Sequence, residues 1–269
     1  MPTMSSGKAK LEGVLAVLTV ACILSALSCG SGKSNTAASP GVLSGNWQMM
    51  LQQSPPSSTA QTESGFLLQT GSSLVGELVL KGQTTCAGLG SVQGNLSGSE
   101  VTLTLNQIGQ TVTLTGTAAS DGSAMAGTYS ILANSCGSSS STGTWTAVPV
   151  RQVTGTYLGV FTSGYTGLVY NFAVSVTQGA NTGTSVATLS GKMTSNNAPC
   201  EESVSISGVV SGTSIVFNFL NSDGSAVGQF QGTTSADAGT LTGTYDYLAE
   251  PNVCTGDNGS VSMTQQSSP

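Results

Sequence analysis
From residue 43 onward the chain alternates between apolar and polar positions. In "VTLTL" (101–105) and "TVTLTGT" (111–117), Val101, Leu103, Leu105, Val112 and Leu114 take every second position and threonines fill the positions between. Successive side chains on a strand point to opposite faces, so this period of two predicts strands with one buried and one solvated side. Eight such runs are expected in the first half, near 43–53, 64–71, 74–80, 90–97, 100–106, 110–119, 123–131 and 141–148. Turn signals such as "SDGS" (120–123) and Gly-rich connections join neighbours closely, which predicts antiparallel hairpins. None of the connections is long enough for a parallel crossover, and no amphipathic helix is expected after residue 28.

The pattern occurs twice. "LSGNWQ" (43–48) matches "VTGTYLG" (153–159), and the phase is kept: Cys86 precedes Gly98 by 12 residues and Cys200 precedes Gly212 by 12. Gly116 precedes Tyr129 by 13 in "GTAASDGSAMAGTY", and Gly232 precedes Tyr245 by 13 in "GTTSADAGTLTGTY". Ile215, Phe217 and Phe219 repeat the inward set of the first copy. The expected organisation is therefore a leader (1–28), a tether (29–42), a first β module (43–148), a linker (149–152), a second β module (153–265) and a tail (266–269). Eight hairpinned strands in about 105 residues predict an all-β fold of two tandem up-and-down meanders, each a β-barrel that closes its own edges. A Greek-key β-sandwich is the alternative.

The first 28 residues read differently. Lys8 and Lys10 precede the uncharged, mostly apolar run "GVLAVLTVACILSALS" (13–28), which has the layout of a secretory signal peptide. Its sixteen residues fall short of the roughly 20 that a membrane span needs. Ala26, Leu27, Ser28 and Cys29 resemble a bacterial lipobox, with Ala26 and Leu27 exchanged relative to the usual order. The resemblance implies that Cys29 is lipidated and becomes the new N-terminus, with Cys22 as the rival site. "GSGKSNTAASPG" (30–41) then forms a tether that reaches roughly 40 Å. In lipoproteins a residue other than Asp after the modified cysteine, here Gly30, implies the outer membrane. "GSGKS" mimics the end of a phosphate-binding loop, but Leu27 stands where that loop needs its first glycine.

With Cys22 lost in the leader and Cys29 lipidated, four free cysteines remain, Cys86, Cys136, Cys200 and Cys254, an even number suited to disulfides outside the cytoplasm; use of Cys22 instead would leave Cys29 as an odd thiol. Cys86 lies between the third and fourth expected strands and Cys136 between the seventh and eighth, so in a meander both connections emerge at the same end. The expected bridges are Cys86 to Cys136 and Cys200 to Cys254, one per module. Each would close a loop of about 50 residues and stabilise its module by about 4 kcal/mol.

Charge and chemistry narrow the functional classes. Lys8, Lys10 and Glu12 leave with the leader, so the exported part keeps four basic and eleven acidic side chains, net −7. Nucleic-acid binding needs a basic patch, and none is expected here. The chain has no histidine, which removes the usual triads and His metal sites. Glu201 and Glu202 are adjacent, would point to opposite faces of a strand, and read as a solvated loop. Asp257 in "TGDNG" lacks the alternating carboxylates of a calcium loop and reads as a turn. No catalytic residue, metal site or cofactor is expected. Thr102, Thr104, Thr111, Thr113 and Thr115 line up as a polar strand face that suits a glycan or ice surface, or merely solvent; the second copy replaces part of it with Val216 and Asn218.

Gly45-Asn46-Trp47 resembles the Gly-x-Trp signature of the lipocalin first strand, and Gly155-Thr156-Tyr157 is a softened copy. That resemblance implies a barrel and, more distantly, carriage of an apolar ligand, while an aromatic at this place also serves as a plug. The lipocalin Thr-Asp-Tyr motif and last-strand arginine are missing. As a whole the chain resembles the repeat-bearing lipoproteins of bacterial outer membranes. The expected function is a non-catalytic binding, adhesion or structural module, held to the membrane by its lipid and contacting a glycan, a protein or a small apolar ligand. A lipocalin-like carrier is the alternative.

Overall fold
A computed structural model of the 269-residue chain describes residues 41–54, 60–81, 88–132, 140–179, 186–195, 203–247 and 256–266. The expected leader (1–28) with Cys22, Cys29, the other four cysteines, and Glu201 and Glu202 lie outside these residues.

The described chain is two tandem closed barrels of eight antiparallel strands each. The first comprises β1 (Gly45–Gln53), β2 (Gln61–Thr70), β3 (Ser73–Lys81), β4 (Gly88–Ser97), β5 (Glu100–Gln107), β6 (Gln110–Ala118), β7 (Met125–Ile131) and β8 (Ser141–Pro149). The second comprises β9 (Gly155–Ser163), β10 (Val169–Gln178), β11 (Ala187–Ser195), β12 (Ser203–Ser211), β13 (Ser214–Leu220), β14 (Ala226–Thr234), β15 (Thr240–Tyr247) and β16 (Asn258–Gln265). Each strand pairs with its sequence neighbour, and the ring closes where β1 meets β8 (Trp47 opposite Pro149) and β9 meets β16 (Val261 opposite Phe161). This closure excludes the sandwich. It also removes the open edges that would otherwise recruit other chains.

Alternation supplies the cores. Val101, Leu103, Leu105, Val112 and Leu114 are buried with Trp47, Leu67, Leu78 and Trp145 inside the first barrel. Ile215, Phe217 and Phe219 occupy the matching places in the second, beside Phe161, Phe172 and Phe230. A small barrel must bend sharply, and inward glycines permit it. Gly116 and Gly127 face each other across β6 and β7, as do Gly232 and Gly243 across β14 and β15. A Cβ on Gly127 would lie 1.9 Å from the Thr115 carbonyl oxygen, so neither strand tolerates a side chain there. The space is used by Trp145, paired with Gly127, whose Nε1 donates to that carbonyl at 3.2 Å.

One segment breaks the alternation: residues 63–67 of β2 are all buried. Their outward members are covered by the second barrel, whose β12–β13 hairpin tip rests on β1 and β2. Gly212 N donates to Asn46 Oδ1 at 2.9 Å and Thr213 Oγ1 to Ser64 Oγ at 3.1 Å, both buried. The linker adds Arg151 N to the Ala236 carbonyl at 2.8 Å.

Candidate functional site
We call the rim where β1 begins the lower rim and the opposite one the upper rim. At the lower rim the repeat signature forms a plug. Gly45 and Gly155 open β1 and β9 at φ of 148° and 135°, a region that favours glycine, and turn the chain into the wall. Two residues on, Trp47 is 1% exposed and donates Nε1 to the Leu43 carbonyl at 3.0 Å. Tyr157 is fully buried and its Oη donates to the Ala238 carbonyl at 2.9 Å. Burial, then the nearby Asp237 charge, pushes the Tyr157 hydroxyl up to about 12. Ala238 itself sits at φ 56°, where the first copy has Gly122.

Toward the upper rim, Tyr129 and Tyr245 are buried opposite Gly143 and Gly259. Burial raises the pKa of both phenols above the ordinary tyrosine range, and for Tyr245 a hydrogen bond to Asp257 raises it further. Tyr245 Oη donates to Asp257 Oδ2 and Ser163 Oγ to Asp257 Oδ1, each at 2.7 Å. Asp257 precedes β16 in a turn, and these two bonds give its carboxylate a structural task. Among the described residues no group of His, Cys, Asp and Glu has the composition of a metal site.

The upper rim is also where β3 and β4 (Lys81, Gly88) and β7 and β8 (Ile131, Ser141) end, so the connections carrying Cys86 and Cys136 leave one end of the barrel. In the second barrel β11, β12, β15 and β16 place the connections of Cys200 and Cys254 in the same way.

The outer wall of the first barrel carries the threonines as a registered array. One row runs Thr104, Thr113, Ser130, Thr142 across β5 to β8, and the next runs Thr102, Thr115, Thr128, Thr144. Neighbours within a row are about 4.8 Å apart and the rows about 6.7 Å apart, as strand geometry requires. Thr111 belongs to β6 as well, but its Oγ1 is committed to Asn106 at 3.2 Å. Over β6 to β8 the array lines a groove of about 440 Å³ with Ser54, Tyr129 and Gly143, and none of its lining residues is charged. The matching rows of the second barrel read Asn218, Gln229, Asp246, Asn258 and Val216, Gln231, Thr244, Ser260, so two of the eight hydroxyls recur and the complete wall belongs to the first barrel. The sequence pattern identified the threonines of β5 and β6. It missed Thr128, Ser130, Thr142 and Thr144, which only the β6–β7–β8 register brings alongside.

A second feature escaped the sequence. Glu63, on β2, points into the first lumen, is 1% exposed, and faces Met49 of β1. Burial pushes its carboxyl up to about 8. Gln107 Nε2 lies 3.5 Å from Glu63 Oε2 and 3.2 Å from the Gly88 carbonyl oxygen, whereas Glu63 Oε1 has no partner. Its sequence signal was a charged residue beside the apolar run of 66–68. No protein-family model matches this sequence, and no curated protein matches it.

Proposed function
We propose that the chain is a lipid-anchored, non-catalytic binding module of the bacterial outer membrane that holds a neutral glycan chain on the hydroxyl wall of its first barrel. The registered threonine and serine rows of β5 to β8 carry this reading. Hydroxyls both donate and accept hydrogen bonds, so an uncharged array suits a ligand that offers the same groups and no charge. Placing the array on relatively rigid strands limits the ordering that binding must impose. The carrier alternative needs room inside a barrel, and the buried apolar side chains of each barrel pack into one cluster. Lipidation of Cys29 anchors the chain without a span, in keeping with the tether and with the lack of a membrane-crossing helix among the described residues. Bridges Cys86 to Cys136 and Cys200 to Cys254 stiffen the upper rims.

The test is a glycan array with the exported protein, paired with native mass spectrometry of the same preparation. Binding of neutral glycans, reduced about tenfold or more by Thr128→Lys, is the expected result. A stoichiometric co-purifying lipid, or glycan binding indifferent to Thr128→Lys, overturns it.

A further inference from the structure
The two barrels are copies, and they differ most sharply at one interior position. The β1–β2 register places Glu63 opposite Met49, two residues beyond Trp47; the β9–β10 register places Phe172 opposite Gly159, two residues beyond Tyr157. The position that holds a carboxyl in the first barrel therefore holds a phenyl ring in the second. Phe172 stacks within 4.3 Å of Phe161, in an aromatic group that includes Phe219 and Tyr245. A barrel of this design closes without a charge there, so Glu63 is not needed to fill space.

The surroundings of Glu63 accommodate only its neutral form. From β1 it faces Met49, and from β5 it meets the neutral Gln107. Its own strand contributes Gly65 and Leu67 to the lumen. On β3, Glu77 stands opposite Phe66, a register position of the outer wall. The other ionisable side chain buried among the described lumen residues is Tyr129, which carries no positive charge. A buried carboxylate needs a cation or several donors. Here it has one long amide contact, and Oε1 has none.

We infer that Glu63 makes the first barrel proton-gated: with its carboxyl protonated the upper part of the lumen stays closed, and loss of that proton opens the wall around β2 to water, while the second barrel has no such response. The inference goes beyond the proposed glycan site and stands without it, because the hydroxyl wall lies on β5 to β8. The sign follows from linkage. The closed carboxyl keeps its proton up to about pH 8, whereas an opened, hydrated one loses it near the ordinary glutamate value of 4.5. Closure is thus complete on the acid side and weakens as pH rises between those values. One released proton per opening makes the opening constant climb about tenfold per pH unit and level off above about pH 8.

Hydrogen exchange of the full chain in detergent, corrected for the intrinsic pH dependence of amide exchange, reads this directly. Between pH 6 and pH 8, amides of β1, β2 and β3 are expected to gain about fiftyfold in opening constant, and those of β9 to β16 to stay unchanged. In Glu63→Leu the slope disappears. Glu63→Gln, which keeps the shape without the proton, serves the same purpose if the leucine variant does not fold. A flat profile in the unsubstituted protein, or a slope that persists in these variants, overturns the inference.

Discussion

The contact between the barrels offers a substitution with its own control. Gly98 and Gly212 hold the same place in the two copies, the first position of the two-residue tips joining β4 to β5 and β12 to β13, at φ of 61° and 55°. Alanine at either tip must adopt a left-handed backbone, which costs about 1–2 kcal/mol. At Gly98 that is the whole effect, because a Cβ there meets nothing within 4 Å. At Gly212 the Cβ would lie 2.2 Å from Gly65 N and 2.8 Å from Gly65 Cα, backbone atoms that cannot swing aside. The tip must withdraw, and its bonds to Asn46 and Ser64 break. At about 1 kcal/mol net for each bond, Gly212→Ala should cost about 2 kcal/mol more than Gly98→Ala. Urea unfolding measures the difference, and the aromatic residues locate it. Both tryptophans, Trp47 and Trp145, belong to the first barrel, whereas Tyr157, Tyr165, Tyr170, Tyr245 and Tyr247 belong to the second. Tryptophan fluorescence and tyrosine-sensitive near-ultraviolet dichroism should coincide in Gly98→Ala and separate in Gly212→Ala as the barrels uncouple. Equal costs with coincident transitions in both variants would refute the docking argument.

Trp47→Ala removes a plug that is 1% exposed, and should cost about 3–5 kcal/mol in denaturant titration. Tyr157→Phe keeps the ring and loses only the bond to the Ala238 carbonyl, so about 1 kcal/mol is expected from the same titration. Peptide mapping without reduction should find Cys86 with Cys136 and Cys200 with Cys254, and a bridge between modules would contradict the repeat. Membrane fractionation should find Cys29→Ala in the soluble fraction, whereas loss of anchoring only in Cys22→Ala would move the lipid to that residue.

Most of the strand inventory was legible because it is written between near neighbours. The alternation at 101–105 and 111–117 needs only the period of a strand, and the spacing from Gly116 to Tyr129 needs only comparison with Gly232 and Tyr245. Short connections then made sequential strands antiparallel partners, and the inward set of β5, β6 and β13 followed. The first and last strands of each module carry no such local mark. Whether β1 meets β8, as in a barrel, or belongs to a separate sheet depends on contacts across about a hundred residues, such as Trp47 with Pro149. Twist and register accumulated around the whole ring decide that, and no short window contains them.

The same distinction governs the functional features. Alternation by itself assigns Asn46 and Ser64 to a solvated face, yet both are buried because a hairpin tip well over a hundred residues later in the chain covers them. The threonines of β5 and β6 were visible as a polar face, but the groove exists because β7 and β8 lay further hydroxyls in the same two rows. Glu63 precedes the strand expected at 64–71 and carries no local mark of burial; its register with Met49 and its contact with Gln107 make it a buried acid. Local periodicity thus determined which residues form strands and which of their faces are apolar. Closure of the rings and docking of one on the other decided which polar residues lost their water, because burial depends on what the rest of the chain brings over a face.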